Sequence, residues 1–384
     1  WFVALSGTIT QKSVADYAHL SEQALGRYSP VPRPSKSKDE VRAWCAVMDR
    51  DGKPGPKEWS ALGPFLNEWA EPIAGGGQYT LTGEARLAWA RKALQARLRS
   101  NPGVVCTGDG SCDASLVITE LDAPEPPEEL AVMLDDLIKN GVDPRGDAMP
   151  SDDDLWRVGR HLSAGYYRKW IWPGGVKDLE WLMARSEWHR ACRAELKRRA
   201  REGYDSPLLV WNETKRRAED GENDGLIEAW REWVRVKVRP EPPSVATWVD
   251  TYLVEHAAAW ARRWETTHKE PVIVWYESPA VGEAFALLGL PVYGAGTTIP
   301  ETVPGRTIAA SWRSHADGCN LQHAWRVNLI VEPTSSGKTA EQMIGRTHRQ
   351  GQLADEVLVF AYTNTKPFRQ AWATARKGAR YIET

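Results

Sequence analysis

Five short apolar runs punctuate the last third of the chain: Val272–Tyr276 (VIVWY), Pro291–Tyr293, Thr307–Ser311, Val327–Val331 and Val357–Tyr362. Each is too short for a buried helix, and helical or looped text separates it from the next. That alternation is the pattern of a parallel sheet with helices packed on its faces. In such sheets ligands gather at the carboxyl ends of the strands. The residues falling there are Glu277 and Ser278 after the first run, Ser314 to Gln322 after the third, and Pro333 to Thr339 after the fourth.

The stretch Glu341–Gln352 (EQMIGRTHRQGQ) follows that last loop. On a helix, at about 100° per residue, Gln342, Arg346 and Arg349 share one face and point two guanidinium groups the same way. Two such charges repel unless an anion answers them. A triphosphate suits them, because guanidinium forks match phosphate oxygens and stabilise charge that develops in phosphoryl transfer. The same residues also fit a solvated basic turn in which Thr339 caps the helix and Gln342 completes a capping box. Residue chemistry alone leaves both readings open.

The run QMIGRTHRQGQ resembles the last conserved motif of the superfamily 2 helicases. Its His-Arg-x-Gly-Gln ending is similar to the Swi/Snf-like branch and to phage-encoded DEAD/DEAH-type helicases. Gly318-Cys319-Asn320-Leu321-Gln322 resembles the fifth motif of that family, although Ala316 and His315 stand where the family often has more glycine. Near the start, Trp1–Leu5 (WFVAL) reads as a buried strand, and Ser6-Gly7-Thr8 after it resembles the motif linking the nucleotide and nucleic-acid sites; a plain turn is the other reading. The resemblance implies a RecA-like parallel-sheet domain, the helicase carboxyl-terminal domain, in which Arg349 and Arg346 are catalytic arginine fingers. It further implies that Gln342, Gly318 and Asp317 join them around ATP. Ser6, Gly7, Thr8, Ser314, Asn320 and Gln322 would contact the nucleic acid and couple it to the nucleotide. ATP and Mg2+ would be shared with a first RecA-like domain, in the same or another chain. The implied partner is DNA, single-stranded or duplex.

On this reading residues 1–28 are the truncated end of a first RecA-like domain, 29–243 a mainly helical insert, and 244–384 the second RecA-like domain. The cluster Pro240-Glu241-Pro242-Pro243 marks the boundary, and Ser244 is expected to cap a helix carrying Trp248, Tyr252, His256 and Trp260. Ser13–Ala24, ahead of the insert, and Asp39–Met48 and Glu84–Arg99 within it read as helices, and Val104-Val105 and Leu116–Ile118 as short strands. Residues 120–154 are acidic and proline-rich, with only Lys139 and Arg145 to oppose them, and are expected to be a solvated linker. The segment Arg185–Arg201 reverses the sign, with Trp181 and Trp188 one heptad apart. Basic and aromatic side chains so interleaved suit a nucleic-acid strand. They equally suit an amphipathic helix whose Trp188, Cys192 and Leu196 line a core.

Several attractive matches fail on spacing. Ser336-Gly337-Lys338-Thr339 imitates the end of a phosphate-binding loop, but Glu332 stands where the required first glycine belongs. Gly75-Gly76-Gly77 has no Gly-Lys-Ser/Thr after it, and no apolar strand precedes Asp39-Glu40 to make an acidic magnesium box. His315, Cys319 and His323 lack a fourth ligand at metal-site spacing, so no metal site is expected. The formal net charge of −2 gives no sign of a general polyanion affinity, so any nucleic-acid surface is expected to be local. Five cysteines without a CxxC pair suggest a reducing compartment. There is no apolar run of about 18 residues and no leader pattern, so a cytoplasmic protein without a membrane span is expected. The sequence therefore points to the carboxyl part of an ATP-dependent DNA helicase or translocase, inactive by itself for want of both Walker motifs. The alternative is a non-hydrolysing nucleic-acid-binding or replisome-scaffold protein that keeps the fold.

Overall fold

The computed structural model describes residues 13–49, 52–71, 81–104, 114–200, 204–300 and 306–383. The strand expected at Trp1–Leu5, the Ser6-Gly7-Thr8 motif, the Gly75–Gly77 turn and Val105 lie outside these residues. The chain divides into two compact units: Trp1–Asp113 with Ser336–Glu341 and Thr374–Thr384, and Ala114–Ser335 with Gln342–Ala373.

The first unit is helical where it is described. Helix α1 (Val14–Leu25) begins as Ser13 predicts, the Ser13 hydroxyl accepting from Ala15 N at 3.2 Å. It is followed by α2 (Lys38–Met48), α3 (Pro56–Trp69) and α4 (Gly83–Ser100). The apolar faces meet in one core around Val14, Ala18, Trp44, Val47, Leu62, Phe65, Leu66 and Ala90. Arg91 of α4 donates to the carbonyls of Met48 (3.3 Å) and Asp49 (3.0 Å), satisfying acceptors that the end of α2 leaves open. Val104 forms no strand.

The second unit starts with a strand, β1 (Ser115–Leu121), then α5 (Glu128–Asn140), α6 (Asp152–Ala164) and β2 (Tyr166–Trp170). Helices α7 (Leu179–Arg199), α8 (Pro207–Glu219) and α9 (Gly225–Val236) follow, then β3 (Ser244–Trp248), which pairs antiparallel with β2. Ser244 thus opens a strand and caps nothing. The helix expected from it is shorter, α10 (Tyr252–His268), with Thr251 at its N-cap position. Trp248 lies in the strand, and Tyr252, His256 and Trp260 in the helix.

The expected parallel sheet is present. Its strands are β4 (Val272–Tyr276), β5 (Val292–Tyr293), β6 (Ile308–Ser311), β7 (Val327–Ile330) and β8 (Glu356–Tyr362), joined by β1 in the order β1-β8-β7-β4-β6-β5. Every pairing is parallel. Helices α11 (Pro279–Leu287), α12 (Trp312–His315), α13 (Gly337–Ile344) and α14 (Lys366–Glu383) complete the chain. The main core gathers Val272, Val274, Val327 and Leu329 of the central strands with Leu253, Ala257 and Ala261 of α10 and Val281 and Phe285 of α11.

Two expectations about the middle of the chain need correction. The domain boundary at 243/244 does not coincide with the edge of the sheet, because β1 pairs with β8 from Ser115–Glu356 to Leu121–Tyr362. Nor is the acidic stretch 120–154 a loose linker. Leu130, Leu134 and Leu137 are buried on one face of α5, and Ser151 caps α6, whose first turn holds Asp152, Asp153 and Asp154. Acidic side chains there meet the positive end of the helix dipole. Asp143 and Asp147 are themselves buried. Asp147 accepts from Arg185 at 2.8 Å and lies 3.2 Å from His189 Nδ1. Despite burial, hydrogen bonding and charge from His189 and Arg185 hold its carboxyl below the ordinary value. The acids had partners elsewhere in the chain.

The tryptophan-rich segment resolves toward packing. Trp181, Trp188 and Cys192 of α7 are buried. Trp181 meets Trp170, Trp172 and Trp233 edge-on with ring centroids 5.5–6.0 Å apart. The arginines of α7 are paired: Arg185 with Asp147, Arg193 with Asp152, Arg198 and Arg199 with Glu195. No described helix is long and apolar enough to cross a membrane.

Candidate functional site

The loops leaving the carboxyl ends of β4, β6 and β7 meet at one edge of the sheet. Beyond β6, α12 carries the exposed Ser314 and the buried His315 and runs into Ala316–Asn320, where Asp317, Gly318 and Asn320 are exposed. Gly318 adopts φ +83°, a left-handed conformation that side chains resist, with open space where a Cβ would lie. The loop turns there without the additional glycines of the family pattern.

Helix α13 ends at Ile344, so Arg346 and Arg349 do not continue its face. They sit in the turn beyond it, which corrects the expectation of a single stripe with Gln342. Gln342 is half-buried on the last turn of α13 and bonds to neither arginine. Thr339 is likewise no cap: α13 starts at Gly337, and the Ser336 hydroxyl accepts from Thr339 N at 3.2 Å. Gly337 is required for another reason, since a Cβ there would lie 2.4 Å from the backbone nitrogen of Ala379.

The turn nevertheless brings the arginines to the loop after β6. Arg346 donates through Nε to the carbonyl of Ala316 at 2.7 Å and through Nη1 to that of Cys319 at 3.2 Å, with Asp317 Oδ1 at 3.7 Å. Leu321 N donates back to Arg346 O at 3.1 Å. Arg349, exposed, donates through Nη1 to Asn320 Oδ1 at 2.6 Å. Asp317, Gly318, Asn320, Arg346 and Arg349 are therefore neighbours. Gln322 turns inward: it is 8% exposed, and its Nε2 reaches the carbonyl of Gln350 at 3.4 Å.

Two residues given no role by sequence reasoning, Asn328 and Thr347, hold this turn in place together with Gln352, the last residue of the motif. Asn328, in the middle of β7, accepts from Trp275 Nε1 at 3.0 Å and donates to Thr347 Oγ1 at 2.9 Å. Thr347 is fully buried and donates to Ile344 O at 3.1 Å. Gln352 donates to the carbonyls of Thr347 (3.0 Å) and Trp325 (3.2 Å) and accepts from Ala354 N at 3.1 Å. An amide inside the apolar run Val327–Val331 was the visible signal, because a buried polar group needs a partner.

A second cluster lies at the same edge. Glu332, 1% exposed, accepts from Glu277 N at 2.7 Å, from Ser278 N at 2.8 Å and from Ser278 Oγ at 2.7 Å. Its backbone carbonyl takes the Trp312 indole N–H at 3.0 Å, so one residue ties together the ends of β4, β6 and β7. Burial, and then the neighbouring Glu277 charge, push the Glu332 carboxyl up to about 7 against those donors. Glu277 is held by Arg313 and by Arg160, the latter at 3.5 Å.

Among the described residues no group of three or more His, Cys, Asp or Glu side chains is placed to hold a metal ion. The exposed Arg349 guanidinium is a group that can donate hydrogen bonds to phosphate oxygens.

No protein-family model matches the chain, and no curated protein matches it. Among solved structures, 91 chains match. One is the C-terminal part of the Fun30 ATPase domain, at 11% identity and a TM-score of 0.35, covering 70% of this chain and 97% of that one. Another is the Hef helicase domain of Pyrococcus furiosus, at 12% identity and a TM-score of 0.30, covering 77% of this chain and 65% of that one. Scores of this size leave the functional reading to the site.

Proposed function

We propose that this chain is the finger-bearing part of an ATP-dependent nucleic-acid helicase or translocase, built on a RecA-like domain. The observation that carries the reading is the meeting of Arg346 and Arg349 with the Asp317–Asn320 loop at the carboxyl edge of a parallel sheet. Phosphoryl transfer spreads negative charge over the γ-phosphate, and catalysis there consists of placing positive charge against it. The phosphate loop, its lysine and the acidic magnesium box would come from a first RecA-like domain. Arg349 would meet the bound ATP from this chain, and Mg2+ held by that first domain would supply neutralising charge to the phosphates.

The two arginines differ in what they are free to do. Arg346 is half-buried and spans two loop carbonyls, so it positions the loop on which Asn320 sits. Arg349 is exposed and held by one side-chain contact, so it is the group able to turn onto a phosphate. That movement breaks its contact with Asn320, the residue assigned to the nucleic-acid backbone on this reading. Nucleotide and nucleic acid thus each break the same Arg349–Asn320 contact, so the binding of one favours the other.

The test is Arg349→Ala in the complete protein, with the phosphate-loop domain present. Nucleic-acid-stimulated ATP turnover is expected to fall on the order of 10³-fold with the thermal midpoint unchanged. Wild-type turnover in that variant would overturn the reading.

A further inference from the structure

Cys319 stands in the arginine-clasped loop and faces a histidine that the proposed function does not use. His315 is 3% exposed, and its Nε2 lies 3.2 Å from the carbonyl of Gly294. A carbonyl only accepts, so Nε2 carries the proton. Burial lowers the affinity of the ring for a second proton, while the hydrogen bond to the Gly294 carbonyl raises it. The bare nitrogen is then Nδ1, and the Cys319 sulfur lies 4.0 Å from it. Nucleophile, base and the group orienting the base are thus neighbours, with the thiol at the outer reach of an S–H···N contact. Cys319 is half-buried, between the exposed Gly318 and Asn320, so a small reagent reaches it.

We propose that Cys319, with His315 as its base, is a thiol modification site selective for small electrophiles such as hydrogen peroxide. In that reaction the sulfur attacks one peroxide oxygen, an S–O bond forms and the O–O bond breaks. Sulfur is oxidised by two electrons and the peroxide is reduced. The thiol proton passes to His315 Nδ1 and from there to the departing hydroxide, giving a sulfenic acid and water. The other described cysteines contrast with it. Cys192 is fully buried, and burial pushes its thiol up to about 12. Burial also raises the Cys45 thiol, whose sulfur accepts from the Ser13 hydroxyl at 3.2 Å. Because Arg346 bonds the backbone carbonyl of Cys319 itself, an adduct on the sulfur would be felt by the arginine clasp.

The experiment treats the chain with hydrogen peroxide in the presence of dimedone, which traps sulfenic acids, and follows each cysteine by peptide mass spectrometry. Cys319 is expected to label at least about tenfold faster than Cys45 or Cys192. His315→Gln keeps a donor toward the Gly294 carbonyl while removing the base, and is expected to slow Cys319 by about tenfold or more with Cys45 unchanged. Labelling of Cys45 at an equal or faster rate in the wild-type chain would overturn the proposal, whatever the fate of the variant. So would a folded His315→Gln chain, checked by its circular dichroism, that labels at the wild-type rate. Neither readout depends on ATP turnover, so the site stands or falls apart from the proposed function.

Discussion

At the scale of single residues, Glu332 is the group whose chemistry differs most from what its place in the sequence suggests. Read linearly, it is the residue that spoils a phosphate-binding loop; folded, it is a buried carboxyl gripped by three donors at the edge of the sheet. Its folded value of about 7 lies above the ordinary 4.5, so the folded state holds the proton more tightly than the unfolded chain does. The stability this contributes is fully present below about pH 4.5 and is lost as pH rises through 7. Glu332→Gln mimics the protonated form. At pH 5 the two proteins are expected to melt close together; at pH 8 the wild type should be the less stable, by as much as about 3 kcal/mol. Urea titrations at both pH values measure this, and equal stability at pH 8 would mean the three donors fully sustain the ionised form. At the same scale, Thr347→Val leaves the Asn328 amide without its 2.9 Å acceptor and is expected to cost about 1–3 kcal/mol. A chemical denaturation curve shows whether it does.

At the scale of elements, α7 shows how composition misleads when pairing is invisible. Its last turn, Lys197, Arg198 and Arg199, looks like a basic patch, but Arg198 and Arg199 both face Glu195. Replacing the three by Gln is expected to leave DNA affinity within about twofold and its salt dependence unchanged, as fluorescence anisotropy would report; a loss of about tenfold or more would restore a nucleic-acid role. The tryptophans are the structural part of the helix. Trp181→Ala is expected to cost about 3–5 kcal/mol, because a fully buried indole among three others leaves a cavity that helices cannot close. The helices around Ser13–Ala24, Asp39–Met48 and Glu84–Arg99 were legible because caps and spacing are local properties. The α13 turn was not: periodicity extends a helix through Arg349, whereas Thr347 binds Asn328 nineteen residues away and ends it.

At the scale of the whole molecule, the six-stranded sheet draws one edge from far upstream. β1 pairs with β8 across some 240 residues, Ser115 Oγ lies 3.3 Å from the carbonyl of Asp355, and His348 donates to Ala114 O at 2.8 Å. A fragment beginning at Ser244 leaves the β8 edge open and removes Ala164 and Tyr166 from the main core. It is expected to melt at least about 10 °C below a fragment beginning at Ala114, or to aggregate. Circular dichroism melts of the two decide the matter, and equal midpoints would make residues 114–243 peripheral to the sheet.

The sequence by itself determined the five strands from Val272 to Tyr362, their parallel arrangement and the edge at which polar loops collect, because burial on both faces writes itself as short apolar runs. It also marked Asp317, Gly318, Asn320, Arg346 and Arg349 as candidates. Only the tertiary structure decided that β1 closes the sheet, that the acidic stretch is folded and that Gln342 parts from the arginines. Each of these depends on a partner distant in the chain, and pairing at a distance leaves no period in the text.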